Sequence, residues 1–161
     1  MCGIFGGIGL TVDQANDAIK LIKRGEDGIT VKKLNNNVIF AARRHLVKKS
    51  GNDQSNLSDQ PYFSEDKTIA LIFNGEFYNF KDYCNKNINS DGLTLFENLQ
   101  SSGIEFYNKV NGMWASVHCD LKNKKIYLTR DRYGKKPLYY FLEKDKFIIS
   151  SEIKSIFHIL K

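Results

Sequence analysis

Cys2 directly follows Met1 in the opening segment Met1-Cys2-Gly3-Ile4-Phe5-Gly6. Removing Met1 would leave a thiol and a free α-amine on one residue. The thiolate is the attacking species and the amine can take its proton, so nucleophile and base arrive together. An α-amine titrates near about 8, so much of it can act as a base at neutral pH. Cysteine is small enough that methionine removal is the expectation. A lone cysteine at this position is also compatible with chance. The second candidate is Asn74-Gly75, within Phe73-Asn74-Gly75-Glu76-Phe77-Tyr78-Asn79. The Asn74 amide and the Gly75 backbone N–H are two donors on one corner and could hold the oxyanion of a tetrahedral intermediate. The plainer reading is a turn after the apolar run Ile69-Ala70-Leu71-Ile72, with Gly75 in a backbone conformation other residues resist.

The elements that would carry these residues follow from periodicity. Gly3, Gly6, Gly7 and Gly9 around Ile4, Phe5 and Ile8 predict a short buried strand that its neighbours approach closely. Residues 13–23 predict a helix, with Ala15, Ala18, Ile19 and Ile22 on one face. Residues 30–31 and 38–42 predict a hairpin turned at Asn35-Asn36-Asn37. Residues 48–58 are polar and read as a loop. Residues 91–100 predict a helix stopped by Gly103. Residues 113–121 and 125–129, then 138–142 and 147–151, read as two strand pairs. A last helix is expected after Ser151-Glu152, with Ile153, Ile156, Phe157 and Leu160 inward. Hairpins alternating with helices predict α+β architecture, antiparallel sheets covered by helices.

Composition fits one domain over residues 1–161. The 42% hydrophobic content suits a sizeable core. No apolar run reaches the roughly 20 residues a spanning helix needs, and no signal-peptide pattern is present. Cys2, Cys84 and Cys119 are odd in number and lack metal-ligand spacing, which suggests a reducing, cytoplasmic setting. Cys84 and Cys119 read as packing residues. The net charge of +6 is carried by scattered lysine pairs, and the aromatics sit in strand-like runs. Neither pattern predicts a nucleic-acid partner. No metal or cofactor site is expected.

Seven segments, in order, resemble the glutaminase domain of asparagine synthetase, a class II glutamine amidotransferase of the N-terminal-nucleophile type. They are Met1-Cys2-Gly3-Ile4-Phe5-Gly6, Arg24-Gly25-Glu26-Asp27-Gly28, Asn74-Gly75-Glu76-Phe77-Tyr78-Asn79, Ser90-Asp91, Gly112-Met113-Trp114-Ala115, the stretch from Arg130 to Tyr140, and Ser151-Glu152-Ile153-Lys154-Ser155. The resemblance implies a four-layer α/β/β/α sandwich, two antiparallel sheets between helices. It implies that Cys2 attacks the side-chain amide of glutamine, giving glutamate and ammonia through a thioester. Asn74 and Gly75 would form the oxyanion hole, and Glu76 and Asp91 would bind the substrate's α-amino group. On its own terms Glu76 could be a solvated turn residue and Asp91 a helix N-cap. Arg44, His45, Leu46 and Val47 would line the substrate pocket, and Arg130-Asp131-Arg132 would support the fold beneath it.

One position departs from the family pattern. An arginine normally stands before the leucine here, gripping the α-carboxylate with a two-pronged hydrogen bond. This chain reads Ala42-Arg43-Arg44-His45-Leu46, with His45 in that place. Histidine cannot reproduce the planar fork. A substitute role for Arg44 would require a bulge, because a one-residue shift reverses the face of a strand. Two alternatives therefore stand beside the glutaminase: an impaired domain serving as a binding or regulatory subunit, and an amidase for another small amide. The sequence also lacks the Ser-Gly-Gly-x-Asp-Ser loop of an ATP-using synthetase domain. The expectation is a stand-alone glutaminase that supplies ammonia to a separate ATP-dependent synthetase or amidotransferase subunit.

Overall fold

The computed structural model describes residues 2–25, 27–35, 37–45, 59–85 and 88–161. Among these residues nine strands form two antiparallel sheets. They are β1 (Gly3–Ile8), β2 (Gly28–Lys33), β3 (Val38–Arg44), β4 (Tyr62–Phe63), β5 (Ile69–Phe77), β6 (Gly112–Asp120), β7 (Lys125–Arg130), β8 (Tyr139–Glu143) and β9 (Lys146–Ser150). One sheet runs β2-β3-β1-β9-β8, the other β4-β5-β6-β7. As its glycines predict, β1 is a short buried strand closely approached by its neighbours, and it takes the centre of the larger sheet. A Cβ on Gly7 would lie 2.0 Å from the Phe147 carbonyl oxygen of β9.

Alternation along the strands builds three apolar layers. Phe5, Ile39, Ala41 and Ile148 face α1 (Val12–Leu21) and α3 (Ile153–Leu160). Ile4, Phe40, Ala70, Ile72, Val117 and Ile149 fill the space between the sheets. Leu71, Phe73, Phe77 and Trp114 face α2 (Asp91–Ser102), which returns Leu95, Phe96 and Leu99. The result is the expected α/β/β/α sandwich. Each fully buried large side chain contributes about 1.5–3 kcal/mol of transfer free energy.

Helix α1 begins one residue earlier than its periodicity suggests, because Thr11 and Gln14 form a capping box. The Thr11 hydroxyl accepts the Gln14 N–H at 3.1 Å, and the Gln14 amide oxygen accepts the Thr11 N–H at 2.9 Å. The predicted inward face of α3 is only partly right. Ser155, Ile156 and Ile159 are buried, whereas Ile153, Phe157 and Leu160 are exposed. The Ser155 hydroxyl donates to the Ala18 carbonyl at 2.8 Å, so a small polar contact with α1 turns the helix away from its most apolar stripe. The two late hairpins form as read. Lys124 and Lys144 adopt positive φ in their turns. Gly103 ends α2 with φ 69°. The expected loop at 48–58, and Glu26, lie outside the described residues.

Candidate active site

The nucleophile candidate stands at the entrance to β1. In register, Gly3 pairs with Arg43 of β3. One residue earlier, the Cys2 thiol meets the His45 backbone: the His45 N–H donates to Sγ at 3.4 Å and Sγ lies 3.9 Å from the His45 carbonyl. Burial pushes the Cys2 thiol above its ordinary range. The His45 N–H and the Lys136 ammonium work against that rise, and the Asp91 carboxylate adds to it. The resting thiol therefore holds its proton until a base removes it.

Asn74 and Gly75 are not in a turn. Strand β5 runs straight through them, with Asn74 opposite Ala115 and Gly75 opposite Trp114. The glycine is required for close approach rather than for an unusual φ. A Cβ there would lie 2.2 Å from the Met113 carbonyl oxygen and 2.7 Å from Trp114 Cα. Asn74 and Glu76 share the face of Ala70 and Ile72, so both point into the inter-sheet layer. Asn74 is 1% exposed, and neither its amide nitrogen nor its amide oxygen has a hydrogen-bond partner. A buried side-chain amide left unbonded normally costs about 1–3 kcal/mol.

Asp91 is the first residue of α2, but it is not the N-cap. Ser90 caps the helix by accepting the Leu93 N–H at 3.3 Å. That leaves the Asp91 carboxylate to span two elements. One oxygen accepts the Gly92 N–H at 2.8 Å, and the other accepts the Phe77 N–H at 3.0 Å. The carboxylate is thereby anchored beside Glu76. Burial raises its pKa, the two N–H donors oppose this, and the Glu76 charge raises it further. Proximity to the helix N-terminus favours the anion.

The predicted clamp region divides. Strand β3 stays in register with β2 through Arg44, opposite Gly28, and shows no bulge. None is needed, because Arg44 shares the face of Phe40 and Ala42, the inter-sheet side. Its guanidinium pairs with Asp59. The expectation that Arg44 would point the wrong way is corrected. His45 instead turns its half-exposed ring toward β2, with Nδ1 3.4 Å from an Asp27 carboxylate oxygen. Leu46 and Val47 lie outside the described residues.

Three contributors escape a reading of the sequence. Gln60 uses its side chain as a strand segment, donating to the Phe73 carbonyl at 2.8 Å and accepting the Phe73 N–H at 2.5 Å. It pins the backbone next to Asn74. Tyr62 packs its hydroxyl against α2, where a Cβ on Gly92 would sit 2.7 Å away. Burial raises its phenol, and Asp91 and Cys2 both lie within its electrostatic reach. Lys136 is the third. Its stretch is organised by Asp131, whose carboxylate accepts N–H groups from Tyr133 at 3.0 Å, Trp114 and Lys135 at 3.1 Å and Lys136 at 3.4 Å. Burial alone would raise Asp131, but these donors hold it below the usual carboxylate range. Arg130 closes the loop onto the Lys136 and Gly134 carbonyls. The supporting role expected of this stretch matches its bonding. No such signal marks a candidate from a single sequence.

The remaining cysteines sit apart from this constellation. Cys119 packs between the sheets, where burial pushes its thiol up to about 11. Cys84 is half-buried, beside the Lys81 carbonyl at 3.6 Å. Among the described residues no cluster of His, Cys, Asp and Glu is placed to hold a metal, and no helix is long and apolar enough to cross a membrane.

The model of the glutamine amidotransferase domain family matches residues 1–161. An asparagine synthetase [glutamine-hydrolyzing] 2 of Bacillus subtilis is 32% identical over 98% of this chain and 22% of its own length. A putative asparagine synthetase of Methanocaldococcus jannaschii is 30% identical over 97% and 35%. The chain thus spans about a fifth to a third of these relatives. Among solved structures, an allosteric regulatory enzyme of purine biosynthesis shares the fold at a TM-score of 0.77 and 16% identity. That likeness covers 98% of this chain and 43% of the other.

Proposed function

The chain belongs to the glutamine amidotransferase domain family, and on that premise we propose that it hydrolyses the side-chain amide of glutamine through a Cys2 thioester. One observation carries the reading. The Asn74 amide is buried, unbonded and directed into the same inter-sheet layer that Cys2 borders. An unsatisfied donor beside a nucleophile fits a group that appears only during reaction.

With Met1 removed, the α-amine takes the thiol proton and the Cys2 sulfur attacks the amide carbon of glutamine. The carbonyl π electrons move to oxygen, and that oxyanion takes hydrogen bonds from Asn74 and the Gly75 N–H. Collapse breaks the C–N bond, and the α-ammonium returns its proton to the leaving ammonia. Water, deprotonated by the same amine, then attacks the thioester carbon. Glutamate leaves and the thiol is restored. Glu76 and Asp91 face the α-ammonium of the substrate, two anions for one cation. Arg44 and His45, which follow one another at the end of β3, are the groups we assign to the α-carboxylate.

Incorporating the released ammonia calls for an activated acceptor. We place an ATP-dependent synthetase unit downstream, in a cytoplasmic setting; the asparagine synthetases that the chain resembles support this. A second reading, an amidase for another small amide, rests on His45, whose ring lies against Asp27. His45→Arg separates the two: a rise in glutamine turnover favours a weakened clamp, whereas a fall favours a site built for a different substrate.

The test is glutamate release from glutamine by purified protein, with intact mass recorded on the same sample and Cys2→Ala as control. Release that depends on Cys2 in protein lacking Met1 supports the reading. Equal release by Cys2→Ala overturns it.

A further inference from the structure

Strand β8 is the outer edge of the five-stranded sheet, and no described strand pairs with its far side. Free edges are usually blunted by lysine, by proline or by shortness. The other three edges follow that rule. Strand β2 ends in Lys32-Lys33, β4 is two residues long behind Pro61, and β7 is bounded by Lys125 and Arg130. Strand β8 reads Tyr139-Tyr140-Phe141-Leu142-Glu143 and has no such device. Tyr139 is exposed, and Tyr140 and Leu142 are 65% and 67% exposed. Helix α3 continues this surface. It lies over β9 and β8 and packs on α1 along one side, where Ser155 meets Ala18. Ile153, Phe157 and Leu160 stand roughly opposite Ser155 on the helical turn, so this exposed stripe faces away from α1, toward the β8 edge. Lys154 and His158 lie off that flank.

We propose that this edge pairs with the same edge of a second copy of the chain, in a two-fold dimer. Such a contact needs a self-complementary patch. Antiparallel pairing of two β8 strands about Phe141 sets Tyr140 opposite Leu142 twice, an apolar pair each time. It sets Tyr139 opposite Glu143, a phenol beside a carboxylate. Paired strands lie about 4.8 Å apart, so the two α3 axes would lie about 10 Å apart, an ordinary helix-packing distance. Ile153, Phe157 and Leu160 of one copy then cover those of the other. The six exposed side chains offer on the order of 700 Å² from each copy, close to the roughly 800 Å² per partner of a standard interface. That area also exceeds the largest apolar patch of a typical monomer. The inference does not depend on the chemistry at Cys2.

The test is sedimentation velocity of the purified full chain, from low micromolar to hundreds of micromolar concentration. The mass should climb toward that of two chains. Leu142→Lys and Phe157→Lys each put a charge into the contact, and each should raise the dimer dissociation constant more than roughly tenfold. Ile29→Lys, at the opposite edge of the same sheet, should leave it unchanged. Each copy carries a net charge of +6. Added salt screens their repulsion, so it should tighten the dimer. A monomer at every concentration overturns the proposal and leaves the edge to a different protein, such as the synthetase unit. A dimer untouched by both β8 and α3 variants, or one that salt loosens, overturns it as well.

Both variants alter side chains that are more than half exposed, so folding should tolerate them. Should either fail to fold, the unmutated protein gives a second measurement. Backbone amide exchange along Tyr139–Glu143 is compared at low and high protein concentration. It should slow where the strand gains a partner, and exchange that is independent of concentration overturns the proposal equally.

Discussion

Asp131 and Asn74 are both buried polar residues, and their bonding is opposite. The Asp131 carboxylate accepts four backbone N–H groups and ties the start of β6 to the loop that follows β7. The Asn74 amide accepts and donates nothing. A saturated polar group is scaffold, because every bond it could make has been made in folding. An empty one is held in place by its surroundings at a cost to stability, and its bonds are available to something else. Lack of a partner is not sufficient evidence by itself. His118 has two unbonded ring nitrogens and Trp114 has one. Those two lie on the other face of β6, stacked on Tyr127 and Tyr107, with no nucleophile near them. Asn74 is set apart by sharing the inter-sheet face of β5 with Glu76, in the layer that Cys2 borders.

The contrast can be broken at either pole. Asp131→Ala should have the largest effect. Four N–H groups would lose their acceptor, at about 1–3 kcal/mol for each that stays buried. The urea midpoint should collapse, and activity with it. Gly75→Ala should come next. Its methyl would strike the Met113 carbonyl at 2.2 Å, so β5 and β6 must part beside the site, at about 1–3 kcal/mol of overpacking. Glutamate release should fall more than tenfold, and a wild-type rate in this variant would remove Gly75 from the oxyanion hole.

Asp91→Asn separates binding from folding. The amide oxygen can still accept one of the two backbone N–H groups, so stability should fall only by the cost of the other, about 1–3 kcal/mol. Loss of a charged hydrogen bond to the substrate ammonium, about 1.5–3 kcal/mol, should raise KM roughly tenfold or more. A KM unchanged by this substitution would place the α-amino group elsewhere.

The smallest effect concerns His118. Burial lowers its pKa, and the Asp120 charge opposes this. The unfolded chain therefore binds a proton more readily than the folded one. His118 costs the fold nothing above its unfolded value near about 6.5. Stability is lost as pH falls from there toward the lowered folded value. His118→Leu should flatten that part of the stability profile without changing glutamate release.

The sequence made the architecture legible where periodicity carried it: the central glycine-rich strand, the inward face of α1, both late hairpins and the end of α2. It misled at α3, where Ser155 docks on Ala18 and overrides the apolar stripe. It misled again at Asn74-Gly75, where a local turn signal loses to nine consecutive pairings between β5 and β6. The candidate residues Cys2, Asn74, Glu76 and Asp91 could be named from motifs. Their convergence from two sheets and a helix start could not. Lys136, Gln60 and Tyr62 carry no sequence signal, because their places depend on bonds between residues distant in the chain. The face of Arg44 was misjudged for the same reason, since it depends on the register of β3 against β1.

The most direct test of the reserved donor is Asn74→Ala, with kcat for glutamate release and thermal midpoint measured on one preparation. The account predicts a fall in kcat of about 10²–10³, as for loss of one oxyanion donor, while the midpoint holds or rises because an unsatisfied buried amide is gone. A stable variant that keeps wild-type kcat, or a midpoint that drops as steeply as kcat, would contradict it.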